Sequence, residues 1–184
     1  MNSKNKVFIA TSLDGYIADK NGKIDWLNEI PEINTIDTGY ETFTSETDAM
    51  VMGRTTYQTV LSFGIEWPYT KPVFVLSTTL TEVPENLKDK VFFVNGNLKN
   101  VLQTINNKGF HNLYIDGGRV IQSFLKEDLI DEMIITIIPI LLGGGSSLFG
   151  EHPQQLHFEC VNSKLYLDKI VQNRFVRNKK IPPK

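Results

Sequence analysis

Short apolar runs followed directly by helix-like segments recur along this chain, and this alternation is the strongest constraint on its fold. "AMVMG" runs into "RTTYQTVLSF", "KVFFVN" precedes "LKNVLQTINNKG", and "NLYID" precedes "RVIQSFLKED". Strands separated by helices generally pair in parallel, with helices on both faces of the sheet. The sequence therefore predicts an α/β fold with a central, mostly parallel sheet and helices on both faces.

The C-terminal part of the chain departs from this alternation. "QLHFECVNSKLYLDKIVQNRFVR" contains two alternating apolar and polar stretches around a turn, which predicts an antiparallel hairpin that closes one edge of a mixed sheet. Upstream, "PEINTIDTGYETFTSETD" places apolar residues at helical spacing behind Pro31 and predicts a helix, which Gly39 weakens. No linker interrupts the 184 residues, so we expect one domain over residues 1–178 and a tail over 179–184.

Composition argues against two classes of partner. The 19 basic and 21 acidic side chains give a net charge of −2, whereas nucleic-acid binding is generally driven by a positive field. The basic cluster near the C-terminus is predicted to be a solvated strand and tail: Arg174, Arg177, Lys179 and Lys180. The most apolar stretch, residues 133–142, is far shorter than a membrane span. We therefore expect neither a nucleic-acid nor a membrane partner.

The single cysteine, Cys160, predicts a reducing compartment and a cytoplasmic location, because it cannot form an intrachain disulfide. It lies in a strand-like segment, where we expect a buried structural thiol and not a nucleophile. The three histidines lack partners at metal-ligand spacing, so no metal site is predicted.

Three strand ends share a composition that suits anion binding. "MGRTT", "LSTT" and "IDGGR" each place small or hydroxyl residues where a strand stops, and two of them contain arginine. Helix N-termini favour anions, glycine admits a phosphate to the backbone, and arginine binds phosphate in a bidentate manner. Each junction taken alone is also compatible with simple helix capping. The three together favour a ligand with several phosphates.

Two familiar nucleotide-binding motifs are missing from these junctions. "DGGRVI" is not G-x-G-x-x-G and does not follow the first strand, and "LLGGGSSLFG" has no lysine after its glycines. Neither a Rossmann nor a Walker phosphate loop is predicted.

A resemblance to a known family rests on "ATSLDGYIADKNGKIDW", "VMGRTTY", "VLST" and "YIDGGRVIQSFL", in this order, with "LLGGGSSLF" after them. Over nearly its whole length the chain resembles the dihydrofolate reductase superfamily, and most closely the C-terminal reductase domain of riboflavin biosynthesis and its single-domain relatives. The resemblance implies a three-layer dihydrofolate-reductase-like fold, NADPH as cofactor, and a pyrimidine- or pteridine-like small-molecule substrate. It also implies a homodimer, because the single-domain relatives are commonly dimers.

The resemblance assigns cofactor contacts to four groups of residues. The phosphate at the first junction would be received by Gly53, Arg54, Thr55 and Thr56. The adenine would be covered by Leu76, and the 2′-phosphate bound by Ser77, Thr78 and Arg54. The pyrophosphate would be held by Gly117, Gly118, Arg119 and Val120, and the nicotinamide flanked by Thr11, Ile17 and Trp26.

Two carboxylates are candidate catalytic residues. Riboflavin-pathway reductases carry an acid immediately before the glycine pair, in contact with substrate, and Asp116 stands there. Glu32 follows Pro31 as the dihydrofolate reductase acid follows its proline, but two residues too far from the tryptophan, which weakens a folate substrate. Asp116 is equally compatible with a turn residue, and Glu32 with a first-turn helix acid. The superfamily's strained cis peptide would fall at Asp116–Gly117.

The sequence leaves several functions open. The leading hypothesis is an NADPH-dependent oxidoreductase resembling 5-amino-6-(5-phosphoribosylamino)uracil reductase. The alternatives are dihydrofolate-reductase-type activity, a non-catalytic NADPH-binding module, and a structural domain. The basic residues expected to bind a ribityl phosphate are not identifiable between residues 20 and 50. The loop of Gly143 to Ser147 is predicted to form a sheet-edge turn, with substrate contact as the alternative.

Overall fold

One eight-stranded sheet organises the chain in the computed structural model, which describes residues 3–181 apart from the side chain of Asn34. The strands are β1 Lys4–Ser12, β2 Tyr16–Ala18, β3 Ala49–Gly53, β4 Val73–Leu76, β5 Val91–Val94, β6 Asn112–Asp116, β7 Glu132–Ile138, β8 Ser146–Ser147, β9 Phe158–Tyr166 and β10 Ile170–Arg177. The helices are α1 Tyr40–Ser45, α2 Arg54–Ser62, α3 Leu98–Asn107 and α4 Gly118–Lys126. The sheet order is β5-β4-β3-β6-β1-β7-β10-β9.

Six neighbouring strands of the eight-stranded sheet run parallel, and β10 pairs antiparallel with both β7 and β9. β2 and β8 form a separate two-stranded sheet. β1 pairs with β6 and β7 in parallel, β3 joins β6 to β4, and β10 returns antiparallel to β7 and β9. The α/β class, the mostly parallel sheet and the C-terminal hairpin are therefore confirmed.

Each strand supplies side chains to both faces of the sheet because successive residues point in opposite directions. Along β3, Met50 and Met52 pack under α1 and α2, together with Phe43 and Tyr57. Val51 packs on the opposite face with the apolar sides of α3 and α4, which include Val101, Ile105, Ile121 and Phe124. The predicted helices on both faces are confirmed.

The helix predicted from Pro31 is interrupted. Residues Asp25–Glu29 and Pro31–Thr35 form two 3₁₀ turns, and α1 begins only at Tyr40. Gly39 precedes α1 with a φ of +82°, a left-handed conformation that cannot continue a helix. The prediction of one continuous helix was therefore wrong, and the turns instead cover a small core around Trp26 and Ile138.

Within the C-terminal basic cluster, Arg174, Lys179 and Lys180 are exposed, as predicted, whereas Arg177 is buried. Three of the four side chains also pair with acids. The Arg177 guanidinium is buried and donates to both carboxylate oxygens of Asp128 at 2.6 and 2.9 Å. Arg174 donates to Glu132 at 2.9 Å, and Lys179 to Asp131 at 2.7 Å. These pairs fix β10 and the following Lys179 to the start of β7 and to the segment before it.

Two further expectations concern the edges of the fold. Cys160 lies in a strand, as predicted, but its side chain is exposed, because β9 is the edge strand. The tail is described only as far as residue 181, so residues 182–184 of the predicted 179–184 segment lie outside the described residues. No helix within residues 3–181 has the length and apolar character needed to cross a membrane.

Candidate active site

A cavity of about 1190 Å³ lies at the C-terminal ends of the parallel strands. The three predicted junctions all contribute to it. Its lining includes the following residues from those junctions: Gly53, Arg54, Thr55, Thr56, Leu76, Ser77, Thr78, Asp116, Gly117, Gly118, Arg119 and Val120. Ligands of open α/β sheets generally bind at this edge, so the cavity is the candidate active site.

The N-termini of α2 and α4 open into this cavity without side-chain caps. Gly53 precedes α2 and Gly117 precedes α4, and neither position provides a side-chain hydrogen bond to the first turn. The Asn97 side chain, by contrast, accepts a hydrogen bond from Asn100 N at 2.9 Å and caps α3. Uncapped first-turn N–H groups carry partial positive charge and can receive phosphate oxygens.

The glycine pair allows α2, α4 and β2 to approach one another closely. A Cβ atom on Gly117, whose φ is +87°, would overlap the Thr56 hydroxyl. A Cβ on Gly118 would lie 2.9 Å from Cδ1 of Ile17 and 3.2 Å from the carbonyl oxygen of Ser147. Contacts within the protein therefore already favour glycine at both positions, and most strongly at Gly117 because of its positive φ.

The peptide bond before this pair is trans. No peptide bond within residues 3–181 is cis, so the cis bond predicted at Asp116–Gly117 was wrong. The positive φ of Gly117 turns the chain from β6 into α4 instead.

Arg54 is held toward the end of β4. Its Nη1 donates to Oγ1 of Thr79 at 2.8 Å, and the Ser77 hydroxyl accepts from the backbone N–H of Thr79 and of Leu80 at 3.2 and 3.0 Å. Thr78 lines the cavity between them. A guanidinium with several free N–H donors beside hydroxyl groups is suited to a phosphate group.

Asp116 ends β6 and lies in the cavity wall among phenol rings. Burial raises the pKa of its carboxyl to about 6, although the N–H of Gly117 donates to it and acts in the opposite direction. Burial and, to a smaller extent, the Asp116 charge raise the pKa of Tyr40 and Tyr69. Both phenols therefore remain protonated donors at neutral pH.

A two-stranded ribbon covers another side of the cavity. β2 pairs antiparallel with β8, and Leu148 N donates to the carbonyl oxygen of Gly15 at 2.9 Å. Asp14 strengthens this link, because its carboxylate accepts from Leu142 N at 3.1 Å, Gly143 N at 2.8 Å and the Ser12 hydroxyl at 2.6 Å. The Ser12 hydrogen bond is the main cause that lowers the pKa of Asp14. The glycine-rich loop is thereby tied to the β1–β2 turn.

Comparison with known proteins assigns the chain to a family. The sequence profile described as "RibD C-terminal domain" matches residues 6–172. The chain belongs to the RibD C-terminal domain family. The uncharacterized protein YwjB of Bacillus subtilis (strain 168) is 35% identical over 180 residues, which cover 96% of this chain and 99% of YwjB. The riboflavin biosynthesis protein RibD of Aquifex aeolicus (strain VF5) is 35% identical over 82 residues, which are 42% of this chain and 23% of that protein.

Solved structures agree with this assignment. A Shewanella sp. PV-4 protein, provisionally described as a riboflavin biosynthesis protein, superposes with a TM-score of 0.91 at 56% identity, covering 95% of this chain and 99% of the other. Dihydrofolate reductase from Enterococcus faecalis, complexed with NADP(H), superposes with a TM-score of 0.67 at 18% identity, covering 95% and 96%. At that identity the likeness shows the fold alone, and it confirms a dihydrofolate-reductase-like fold for this RibD-type domain.

Three of the predicted site residues do not line the cavity of this RibD-type domain. Thr11 is buried in β1, and Trp26 packs in the core beneath the 3₁₀ turns with Ile138. Glu32 is exposed and lies 3.8 Å from the Lys169 ammonium. Of the residues predicted to flank a nicotinamide, Ile17 does line the cavity. The structure therefore brings Asp116, but not Glu32, together with the three predicted junctions.

Other residues of the RibD-type cavity were either missed by sequence reasoning, as Tyr69 and Leu27 were, or assigned to the less favoured alternative, as Ser146 and Ser147 were. Tyr69, Leu27 and the pair Ser146 and Ser147 all line it. Tyr69 lies in "EWPYTKP", an irregular segment without periodicity, so its position depends on long-range packing. The serines belong to β8, so the glycine-rich loop forms part of the cavity wall and its ribbon instead of a turn at the main sheet's edge.

Proposed function

We propose that this chain is an NADPH-dependent reductase of a pyrimidine- or pteridine-like small molecule. The observation that carries the proposal is the convergence of two uncapped helix N-termini, Arg54 and the partly buried acid Asp116 on one cavity. Membership of the RibD C-terminal domain family supports a reductase of that type. The Thermotoga maritima structural relative is named as a deaminase and 5-amino-6-(5-phosphoribosylamino)uracil reductase, and it shares the fold at 15% identity and a TM-score of 0.70, covering 96% of this chain and 57% of that one.

The cavity fits a dinucleotide phosphate by its donor set. Arg54, held by Thr79, would bind the 2′-phosphate with Ser77 and Thr78. The N-termini of α2 and α4, which have no side-chain caps, would bind the other phosphates through their first-turn N–H groups. NADPH, when bound, supplies the hydride.

Asp116 is the residue that would manage the accompanying proton. Its raised pKa, about 6, allows the carboxyl to take up and release a proton near neutral pH, which is what a general acid requires. Tyr69 lines the same cavity and would orient the ring by donating its hydroxyl hydrogen. The catalytic role of Asp116 stays a prediction, and Glu32 has no part in the proposal because it lies outside the cavity lining.

Thermal unfolding with NADPH and, separately, NADH tests the cofactor. A ligand that binds only the folded protein adds about 2.7 kcal/mol at a hundred times its Kd, which raises the Tm of a domain of this size by several degrees. We expect stabilisation by NADPH and little by NADH, followed by substrate-dependent oxidation of NADPH. NADPH stabilisation with no rate on any pterin or aminopyrimidine would favour a non-catalytic binding module, and no stabilisation by either cofactor would contradict the proposal.

Arg54→Gln tests the origin of the cofactor preference. A hydrogen bond to a charged group contributes about 1.5–3 kcal/mol, so we expect NADPH affinity to fall at least about tenfold while NADH affinity stays unchanged. Lys99→Gln, at an exposed position on α3, removes the same charge elsewhere and serves as the control. Equal losses for NADPH and NADH in the Arg54 variant would contradict a 2′-phosphate contact.

A cytoplasmic location, expected from the single cysteine, completes the proposal.

A further inference from the structure

The β2–β8 ribbon is seated directly on the first turn of α4. A Cβ atom on Gly118 would lie 2.9 Å from Cδ1 of Ile17, in β2, and 3.2 Å from the carbonyl oxygen of Ser147, in β8. Ile17, Ser147 and Gly118 all line the cavity. Both strands of the ribbon therefore border the uncapped N–H groups that α4 presents to a ligand.

One half-buried side chain of α4 ties the ribbon to this turn. Gln122 lies four residues after Gly118, on the same side of the helix, and its Nε2 donates to the Ser147 carbonyl oxygen at 2.9 Å. A Cβ atom on Gly150 would lie 2.9 Å from Oε1 of Gln122, so the side chain also packs against the segment that follows β8. The hydrogen bond joins positions 25 residues apart in the chain and is therefore a tertiary contact.

The neighbouring polar side chains of α4 do not share this role. The Ser123 hydroxyl donates to the Arg119 carbonyl oxygen at 2.8 Å and so stays within the helix. Within residues 3–181, the Arg119 guanidinium makes no hydrogen bond to the ribbon. Among the polar α4 side chains that line the cavity, the tie to the ribbon therefore depends on Gln122.

The same hydrogen bond changes what the Ser147 carbonyl offers to a ligand. A carbonyl oxygen carries partial negative charge, and this one lies beside the α4 N-terminus, where a cofactor phosphate would bind under the proposed function. Without a donor, that oxygen would repel a nearby phosphate, whereas the Gln122 amide pairs with it. The tie also holds the ribbon in place before a ligand binds, so less conformational freedom is lost on binding.

We infer that Gln122 is a positioning residue that seats the β2–β8 ribbon on the α4 N-terminus and thereby raises the affinity for the diphosphate and nicotinamide part of the cofactor. NADPH and NADH share this part, so Gln122 contributes to the affinity for both, whereas Arg54 provides the preference between them. The inference rests on the proposed function, because it requires a dinucleotide at the α4 N-terminus.

Gln122→Leu tests this role, because leucine keeps much of the side-chain volume but cannot donate to Ser147. Loss of one hydrogen bond corresponds to about a threefold to tenfold change, which we expect in the Kd of NADPH and of NADH alike, so that their ratio stays unchanged. Gln103→Leu, the same substitution at an exposed position of α3 outside the cavity lining, should change neither Kd. Thermal unfolding of both variants verifies that they fold.

Hydrogen exchange without ligand separates loss of the tie from a general loss of stability. In Gln122→Leu, the amide of Leu148, which donates to the Gly15 carbonyl oxygen, should exchange at least about threefold faster because the ribbon opens more often. The amide of Val101 in α3, which donates to the Asn97 carbonyl oxygen, should exchange as it does in the parent protein.

Three results in a folded Gln122→Leu protein would overturn the role of Gln122 and leave the proposed function intact. They are an unchanged Kd for both cofactors, a loss of affinity confined to NADPH, and an unchanged exchange rate at Leu148. A parent protein that binds neither cofactor would contradict the proposed function, and the role of Gln122 with it.

Discussion

At the scale of single residues, Asp116 combines the strongest functional indication with a cost to stability. The pKa of its carboxyl rises from an ordinary 3.8 to about 6 in the folded protein, because burial disfavours the charged form. The folded state therefore binds this proton more tightly than the unfolded state. The tighter binding of this proton stabilises the folded state. This contribution to the free energy of unfolding is fully present below about pH 4 and is lost as the pH rises through 6.

Asp116→Asn should therefore raise stability while it lowers activity. At pH 7.5 we expect the free energy of unfolding to increase by about 1–3 kcal/mol, because the amide carries no charge to desolvate. At pH 4 the variant and the parent should be nearly equal. Urea unfolding at the two pH values measures both, and Asp25→Asn, at an exposed position, serves as the control. A variant that is less stable at pH 7.5 would contradict this account.

Gly117→Ala should destabilise the protein for two separable reasons. The φ of +87° is unfavourable for alanine, and the new Cβ would overlap the Thr56 hydroxyl. Gly109→Ala is the matched control, because Gly109 has a φ of +92° and nothing within 4 Å of a Cβ. We expect about 1 kcal/mol of destabilisation at Gly109 and clearly more at Gly117, measured by urea unfolding. Equal losses of stability in the two variants would show that overlap with the Thr56 hydroxyl adds nothing to the cost of the positive φ.

At the scale of secondary-structure elements, those defined by local sequence signals could be predicted, whereas those that depend on contacts distant in sequence could not. α3 has a local cap at Asn97, regular apolar spacing and Gly109 after its end, so its position could be predicted from sequence. The 3₁₀ turns between Asp25 and Thr35 have no such local signal, and their conformation depends on burying Trp26 and Ile30 against β7 and β10. β2 and β8 are short strands far apart in sequence, so their pairing could not be predicted from periodicity.

Asn97→Ala tests the local origin of α3. Loss of the hydrogen bond from Asn100 N should lower the free energy of unfolding by about 1 kcal/mol. Asn107→Ala, at the exposed last residue of the same helix, should change it by less than half as much. Equal effects in chemical unfolding would show that the Asn97 cap contributes nothing beyond helix propensity.

At the scale of the whole molecule, the expected homodimer stays a prediction. The hairpin leaves β9 at the edge of the sheet, with Val161 and Leu165 more than half exposed at 53% and 57%. We expect light scattering to give a mass of twice 20.9 kDa, and Val161→Lys with Leu165→Lys to lower it if β9 forms the contact. A mass of 20.9 kDa for the parent protein at micromolar concentration would contradict the dimer.

The cavity as a whole was more predictable than its details. Strand ends with glycine, hydroxyl and arginine side chains must meet at one edge of a parallel sheet, so Arg54, Ser77 and Gly117 could be grouped in advance. Thr11 and Trp26 were assigned by resemblance alone, and neither lines the cavity. Ile9 and Ala10 of β1 line the cavity instead, whereas Thr11 is buried.

The link through Asp14 makes the cavity wall a cooperative unit. Segments around Gly15 and Leu148 are more than a hundred residues apart in sequence, yet Asp14 and the β2–β8 pairing join them by several hydrogen bonds. If either segment opens, the other loses its partners, so their amide hydrogens should exchange with solvent deuterium at a common rate. Asp14→Asn should uncouple these rates, and a ligand in the cavity should slow both together. Common exchange rates would show that the two segments share one opening equilibrium.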